Sequence, residues 1–406
     1  MVPRLRFQGF NKDWESQKLH GLTLYIKGYA FKSKDFQKKG YNRVIRVSDI
    51  SSTSIKAESD NVYVSEEIFR TNEKFVLQDN DIIITTVGSN PKLRDSSVGR
   101  PVFVLKSNNM ILNQNLLVLR ALEGYSPSFI YSFLKRERYH YFITSIQRGN
   151  ANQSNITVSD LMDFSISYPD TEEQQKIASF LSSVDDKISQ LEKKKTLLET
   201  YKRGIMQKIF SQELRFKDES GQEFPDWSFE KGNTLFSSIT NKNHNSDLPI
   251  LAISQEFGAV PRDMIDYSIN VSIKSVSSYK VVEKGNFIIS LRSFQGGIEY
   301  SRYKGICSPA YIILKANVNI VDGFFKEYFK THNYIQQLNS KLEGIRDGKM
   351  ISYKYFSEIE LPYPSILEQQ KIASFLLSID KKIEITSTQL EKTREFKKGL
   401  LQQMFV

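Results

Sequence analysis

Glu173-Gln174-Gln175-Lys176-Ile177-Ala178-Ser179-Phe180-Leu181 is repeated letter for letter as Glu368-Gln369-Gln370-Lys371-Ile372-Ala373-Ser374-Phe375-Leu376, 195 positions further along a chain of 406 residues. A nine-residue identity at that distance marks an internal duplication, so the chain reads as two related units, each ending in the segment that the repeat opens. A turn precedes each copy, Tyr168-Pro169-Asp170 and Tyr363-Pro364-Ser365. Asp170 and Ser365 stand three residues before Glu173 and Glu368. That is the spacing of a capping box, in which a short polar side chain satisfies first-turn amides and the glutamate reaches back.

From each repeat onward the apolar residues keep a period of seven. Ile177, Val184, Leu191, Leu198 and Ile205 form one row of the first segment, and Leu181, Ile188 and Ile209 the other. The second segment keeps the register with Ile372, Ile379, Thr386, Thr393 and Leu400, and with Leu376, Ile383, Leu390 and Met404. A narrow apolar seam sustained over five heptads predicts a coiled coil. The seams are flawed in different places, at Lys195 and Lys202 in the first and at Thr386, Thr393 and Lys397 in the second. Unlike flaws suit two helices of one chain that pair with each other, polar seam positions fixing the register. The other reading packs each helix separately on its own domain. Between Ile177 and Ile209 such a helix spans roughly 48 Å at about 1.5 Å per residue, a ruler more than a core.

A chain of 406 residues, 40% hydrophobic and 12% aromatic, is that of a folded protein of two to three domains. The single Cys307 excludes a disulfide framework and a cysteine-based zinc site. Met1-Val-Pro-Arg-Leu-Arg lacks the apolar run of a signal peptide, and no apolar run approaches the roughly eighteen residues of a membrane helix. A cytosolic, cytoplasmic location is expected. The net charge of +10 is unevenly held: residues 1–171 carry 23 Lys and Arg against 17 Asp and Glu, while residues 211–366 balance at 18 against 18. Excess base favours a polyanionic partner, although many cytosolic proteins are mildly basic without one.

The two halves match along their length. Leu5-Arg6-Phe7 with Trp14 opens the first, and Leu214-Arg215-Phe216 with Trp227 opens the second. Strand-like runs end in Ser48 and Ser254, and a polar turn feeds a short buried strand at Asp81 and again at Asn286. The offset between matched features shrinks from 209 to 195, so the scaffolds match while the intervening loops differ in length. A helix is expected at about 127–146 and at about 323–342, its aromatic residues read as core.

Polar loops follow the strands at 88–100 and 292–297, and further ones, at 147–155 and 342–350, precede the repeats. Their Gly, Pro, Ser and Asn content marks them as loops. Arg, Asn, Gln and Lys are the side chains that pair with base edges, Arg with guanine and Asn or Gln with adenine. The candidates for DNA contact are Lys92, Arg94, Arg148, Asn150, Asn152 and Gln153 in the first half, and Arg292, Gln295, Arg346 and Lys349 in the second. The plain alternative is that surface loops are polar anyway.

No constellation for catalysis is found. His20, His140, His244 and His332 are scattered, without metal-ligand spacing. There is no phosphate loop and no Gly-x-Gly-x-x-Gly turn. Ser308-Pro309-Ala310-Tyr311 has only part of the Pro-Pro-aromatic pattern of amino methyltransferases, and the carboxylates of Asp170, Glu172 and Glu173 are better read as helix capping. Catalytic and metal-binding residues are therefore expected to be absent.

The paired Leu-Arg-Phe and Trp openings, the Asp81 and Asn286 strands and the duplicated Glu-Gln-Gln-Lys-Ile-Ala boundaries before two long helices resemble the specificity subunit of type I restriction-modification systems. The resemblance covers essentially the whole chain. It implies an α+β fold of two similar target-recognition domains with small β-sheets, separated by two long α-helices that pair as an antiparallel coiled coil with pseudo-twofold symmetry. On this sequence the recognition domains are residues 1–171 and 212–366, and the spacer helices are residues 172–211 and 367–406. Each domain would read one half of a bipartite, asymmetric double-stranded DNA site. The helices would set the spacing and dock two methyltransferase (modification) subunits, which restriction (translocase and endonuclease) subunits join. S-adenosylmethionine, ATP and Mg belong to those partners, with no cofactor and no catalysis in this chain. The resemblance does not fix the base-contacting residues. A non-DNA coiled-coil scaffold and a self-contained methyltransferase or nuclease are the competing readings.

Overall fold

The computed structural model describes residues 2–406 apart from 58–59, 89–97, 150–152, 246, 266–275 and 341–350. The chain divides into two compact units, Met1–Glu192 with Thr388–Val406, and Lys193–Ser387.

In the first unit a four-stranded antiparallel sheet has the order Thr23–Lys27, Leu116–Ala121, Ile82–Thr85, Pro101–Phe103. Ile82, Ile83 and Ile84 are all buried because both faces of this sheet are covered. One face packs on helices Pro127–Leu134 and Glu137–Ile146, and the other on a smaller core around Ile45, Leu77 and Leu112. The second unit repeats the plan, with the order Phe236–Ile239, Ile312–Ala316, Phe287–Ile289, Glu299–Tyr300, and helices Asp322–Tyr328 and His332–Ser340. The single helix expected in each half is thus two. In the first unit Arg136 is extended, with ψ 154°, and its guanidinium lies 4.7 Å from the Phe133 ring, so the helix breaks where that side chain leaves it. Apart from the exposed Tyr141, the aromatics here are core: Phe129, Phe133 and Tyr139 in one unit, Phe324, Phe325, Phe329 and Tyr334 in the other.

The paired turns before the inner strands explain a sequence difference. Asp81 accepts from the Gln78 amide at 2.7 Å and Asn286 from the Glu283 amide at 2.9 Å, so each side chain closes the same turn. The charged Asp81 also has a counter-ion, Arg120, in a two-bond pair at 2.8 and 2.9 Å. The neutral Asn286 needs none.

The two long helices are Thr171–Phe210 and Ile366–Gln403. In the first unit Asp185 pairs with Lys397 and Glu192 with Arg394, so residue numbers rise on one helix as they fall on the other, and the helices are antiparallel. Ile177, Leu181 and Val184 share a core there with Leu400, Met404 and Phe405. In the second unit Ile209 shares a core with Ile372, Leu376 and Ile379, and Lys202 pairs with Asp380 at 2.7 Å. Leu191 and Leu390 are buried, while Ile188, Leu198, Ile205 and Ile383 are half-buried. The fold is α+β with an internal duplication and an antiparallel helix pair.

Polar seam residues are satisfied rather than merely tolerated. Buried Thr386 donates its hydroxyl to the Lys382 carbonyl at 2.7 Å. Lys202 bridges Asp380 and Glu327, both at 2.7 Å, and Lys397 reaches Asp185 on the opposite helix. Lys195 stays on its own helix, 3.9 Å from Glu199.

Half of the expected capping box forms. The Asp170 carboxylate accepts from the Glu173 amide at 3.1 Å, and the Ser365 hydroxyl from the Glu368 amide at 3.3 Å. The glutamates do not reach back. Glu173 is gripped by Arg6 through two bonds of 2.8 and 2.7 Å, and Glu368 by Arg215 through bonds of 3.3 and 3.0 Å. A guanidinium fork matches a carboxylate better than one amide does. Phe7 then meets Phe180, and Phe216 meets Phe375, edge to face at 5.7 Å and tilted at 5.3 Å. Each Leu-Arg-Phe opening is therefore a clamp on the start of a long helix.

Candidate nucleic-acid interface

The strand register gives each four-stranded sheet two unlike ends. In the first unit Thr23 pairs with Ala121, close to Leu122, whose amide bonds the Leu22 carbonyl. The chain then reaches Ser126, whose amide is held by Gln174 of the long helix at 2.9 Å. This is the helix end. At the other end lie Lys27 and Thr85, opposite Leu117 and Leu116. There the chain leaves through Gly28 and Thr86, and the Ile156 amide bonds the Thr86 carbonyl at 3.0 Å, bringing in the strand Ser154–Asn155. The described parts of three loops thus meet at the end of the sheet away from the helix.

The second unit is built alike. Val321 donates its amide to Gln369 at 2.9 Å at the helix end. Ile239 and Ile289, opposite Ile313 and Ile312, mark the loop end, from which residues 240–250 and 290–297 depart. Asn339, just before residues 341–350, donates to the Phe294 carbonyl at 2.8 Å.

At the first loop end Arg148–Gly149 pairs with Ser154–Asn155, which pairs in turn with Val87–Gly88. Gly149 has φ +119° and no room for a Cβ against the Gln153 carbonyl, so glycine is required at this turn. Ser154 is buried, its hydroxyl donating to Gln147 at 2.7 Å, while Arg148 and Gln153 are exposed. Arg148 is paired with Asp160 at 2.8 Å, an exposed ion pair of small net worth that a stronger acceptor can replace. At the second loop end Arg292 and Gln295 are exposed on the short helical turn Ser293–Gly296 and its N-cap. Buried Ser293 anchors that turn, its hydroxyl accepting from the Ser290 amide at 2.8 Å. The structure thus places four of the candidates for DNA contact, Arg148, Gln153, Arg292 and Gln295, exposed at the loop ends. Lys92, Arg94, Asn150, Asn152, Arg346 and Lys349 lie outside the described residues.

One group was missed. Lys27, Lys32, Lys34, Lys38 and Lys39 leave the same end of the first sheet, all exposed. Their signal was the local run of lysines, which a count over the whole unit had diluted.

The chain matches the model of the type I restriction modification DNA specificity domain twice, over residues 11–200 and 227–393. It belongs to that family. The type I specificity chain is 26% identical over 413 residues to a Methanocaldococcus jannaschii protein assigned as the MjaX specificity subunit of a type I restriction enzyme, with 96% of this chain and 92% of that one covered. It is 24% identical over 423 residues to the MjaVIII specificity subunit of the same organism, covering 97% and 95%. The type I restriction-modification S subunit from M. genitalium has the same fold, with a TM-score of 0.59 at 18% identity over 100% of this chain and 99% of that one.

Asp170, Glu173 and Ser308–Tyr311 have structural roles in this specificity chain. Asp170 caps a helix and Glu173 binds Arg6. Ser308–Tyr311 is a turn, closed by the Tyr311 amide on the Ser308 carbonyl at 3.1 Å. Among the described residues no group of three His, Cys, Asp or Glu could hold a metal ion, and no helix is long and apolar enough to cross a membrane.

Proposed function

We propose that this specificity chain reads a split, asymmetric double-stranded DNA site and brings methyltransferase subunits to it. Residues 1–171 and 212–366 are the two recognition domains, and each takes one half-site. The observation that carries this reading is the pairing of like scaffolds with unlike loops. Both units fix a long helix with the same arginine, glutamate and glutamine, yet one loop end presents Arg148 from a small three-stranded sheet and the other presents Arg292 and Gln295 from a short helical turn. Equal scaffolds that aim such groups from different local structures suit two different half-sites.

The helix pair acts as the spacer. Residues 177–209 span roughly 48 Å, commensurate with about 14 base-pair rises of about 3.4 Å, so unread bases lie between the half-sites. Adenine or other base methylation, and ATP-driven cleavage where a restriction subunit is present, are the work of partner subunits that hold S-adenosylmethionine, ATP and Mg. This chain supplies the address.

Co-expression with its methyltransferase subunit in a methylation-free host, followed by single-molecule sequencing, tests the proposal. A split motif with an unread gap is the expected result. A stable complex that leaves DNA unmodified would overturn it in favour of a scaffold that binds partners without directing them.

A further inference from the structure

The basic excess of the first unit has an address. Residues 27–41 carry Lys27, Lys32, Lys34, Lys38 and Lys39 against Asp35 alone, a surplus of four within the surplus of six held by residues 1–171. Among the described residues none of these lysines has a carboxylate or carbonyl partner, and Asp35 is turned onto its own loop, accepting from the Lys32 amide at 2.8 Å.

The loop that carries them is ordered from beneath. Gly28 and Tyr29 donate to the carbonyls of Leu116 and Leu112 at 2.9 and 3.0 Å. Tyr29 packs against Phe31 at 4.9 Å and Phe75 at 5.2 Å, and Phe31 meets Phe36 at 6.2 Å. Gln37 and Tyr63 exchange both backbone bonds, at 2.8 and 2.9 Å, and Gly40 lies so close on Tyr63 that a Cβ would come within 2.7 Å of its side chain. Apolar and backbone groups thus fix the path while the ammonium groups face solvent. Like charges held together without counter-ions repel one another, a cost that a polyanion removes. The matching loop of the second unit, residues 240–250, holds Lys242 and Asp247 and is balanced.

We propose that Lys32, Lys34, Lys38 and Lys39 grip the phosphate backbone beside the half-site of the first unit, and that the second unit has no equivalent grip. The inference rests on the DNA-reading function proposed above and goes further, assigning the salt-sensitive part of binding to one side of the molecule. Phosphate contacts position a protein without specifying sequence.

The test uses the complex with its methyltransferase subunits and a duplex carrying the methylated motif. The dependence of binding on salt is measured for wild type and for the double variant Lys38→Gln/Lys39→Gln. Each lost phosphate contact lowers the slope of log affinity against log salt by about 0.9, so a drop of about 1.8 is expected, with the methylated motif and the thermal unfolding unchanged. An unchanged slope in the variant, against a salt-dependent wild type, would overturn the inference and leave the DNA-reading function standing. An altered motif, or loss of a partner subunit from the variant complex, would also overturn it by making the lysines base readers or protein contacts. Wild type that binds the duplex without salt dependence would remove the function and the inference together.

Discussion

Gln174 and Gln369 show what the repeated glutamines are for. Each side-chain oxygen accepts the amide of a residue ahead of the helical layer, Ser126 or Val321, at 2.9 Å. Each side-chain nitrogen donates to the proline carbonyl of the preceding turn, Pro169 at 2.8 Å or Pro364 at 2.9 Å. Both glutamines are buried, so water cannot replace them. Replacing Gln174 by alanine should cost about 1–3 kcal/mol, the penalty for leaving a buried donor and acceptor unmade. Replacement by glutamate should be no better, because a carboxylate oxygen would face the Pro169 carbonyl. Urea unfolding of the three proteins checks this, and a glutamate variant as stable as wild type would contradict it. The repeat was plain in the sequence, but the reason for glutamine at its second position was not, since its partner at Ser126 lies 48 residues away. The glutamate misled for a related reason. Its spacing fits a capping box, and a distant arginine outcompeted the local amide.

The two long helices and the inner strands at Asp81 and Asn286 were legible because period and turn chemistry are local signals, whereas the helix break at Arg136 and the strand Thr23–Lys27 were not. What the seam residues touch was not legible either. Lys202 looked like a flaw, yet it lies between Asp380 on the other long helix and Glu327 on a helix of the second unit. Burial opposes its charge, and the Glu327 and Asp380 carboxylates more than offset this, leaving Lys202 above the ordinary lysine range. Burial likewise opposes the charge of Glu327, but Lys326 and Lys202 hold it below the ordinary carboxylate value. A raised lysine contributes stability below its unfolded value and loses it as pH rises through the folded one; a lowered carboxylate contributes above its unfolded value and loses it as pH falls through the folded one. Lys202→Met should therefore cost roughly 3 kcal/mol near neutral pH, at the low end for a broken buried pair because Lys326 remains. The difference from wild type should stay flat through neutrality and shrink toward both extremes, and a pH-independent difference in denaturant unfolding would refute the assignment. The length of the pair can be tested apart from its chemistry. One extra heptad in each long helix, after Glu192 and after Ser387, adds about 10.5 Å, or about three base-pair rises. The methylated motif should keep both half-sites and gain about three unread bases, and a changed half-site would count against the spacer role.

Across the whole molecule the duplication leaves residues that folding does not explain. Gln175 and Ser179 are exposed and so are Gln370 and Ser374, although each pair is identical between the copies. Identical surface at two places fits two copies of one partner. If each copy docks one methyltransferase subunit, as the proposed function implies, bulky substitutions at Gln175 and Ser179 should leave one subunit bound per chain instead of two, as should those at Gln370 and Ser374. Native mass spectrometry reads the ratio, and a full complement on either variant would exclude these positions. The make-up of the units carries a different consequence. Leu400, Met404 and Phe405 belong to the core of the first unit, with Phe405 5.3 Å from Phe129 and 6.3 Å from Trp14. A nascent chain emerges from the ribosome in order, so during synthesis the residues of the second unit are all delivered while the first still shows an unfilled aromatic socket. That interval is when a chaperone has something to hold and a protease something to cut. For the first unit, birth order and folding order are not the same.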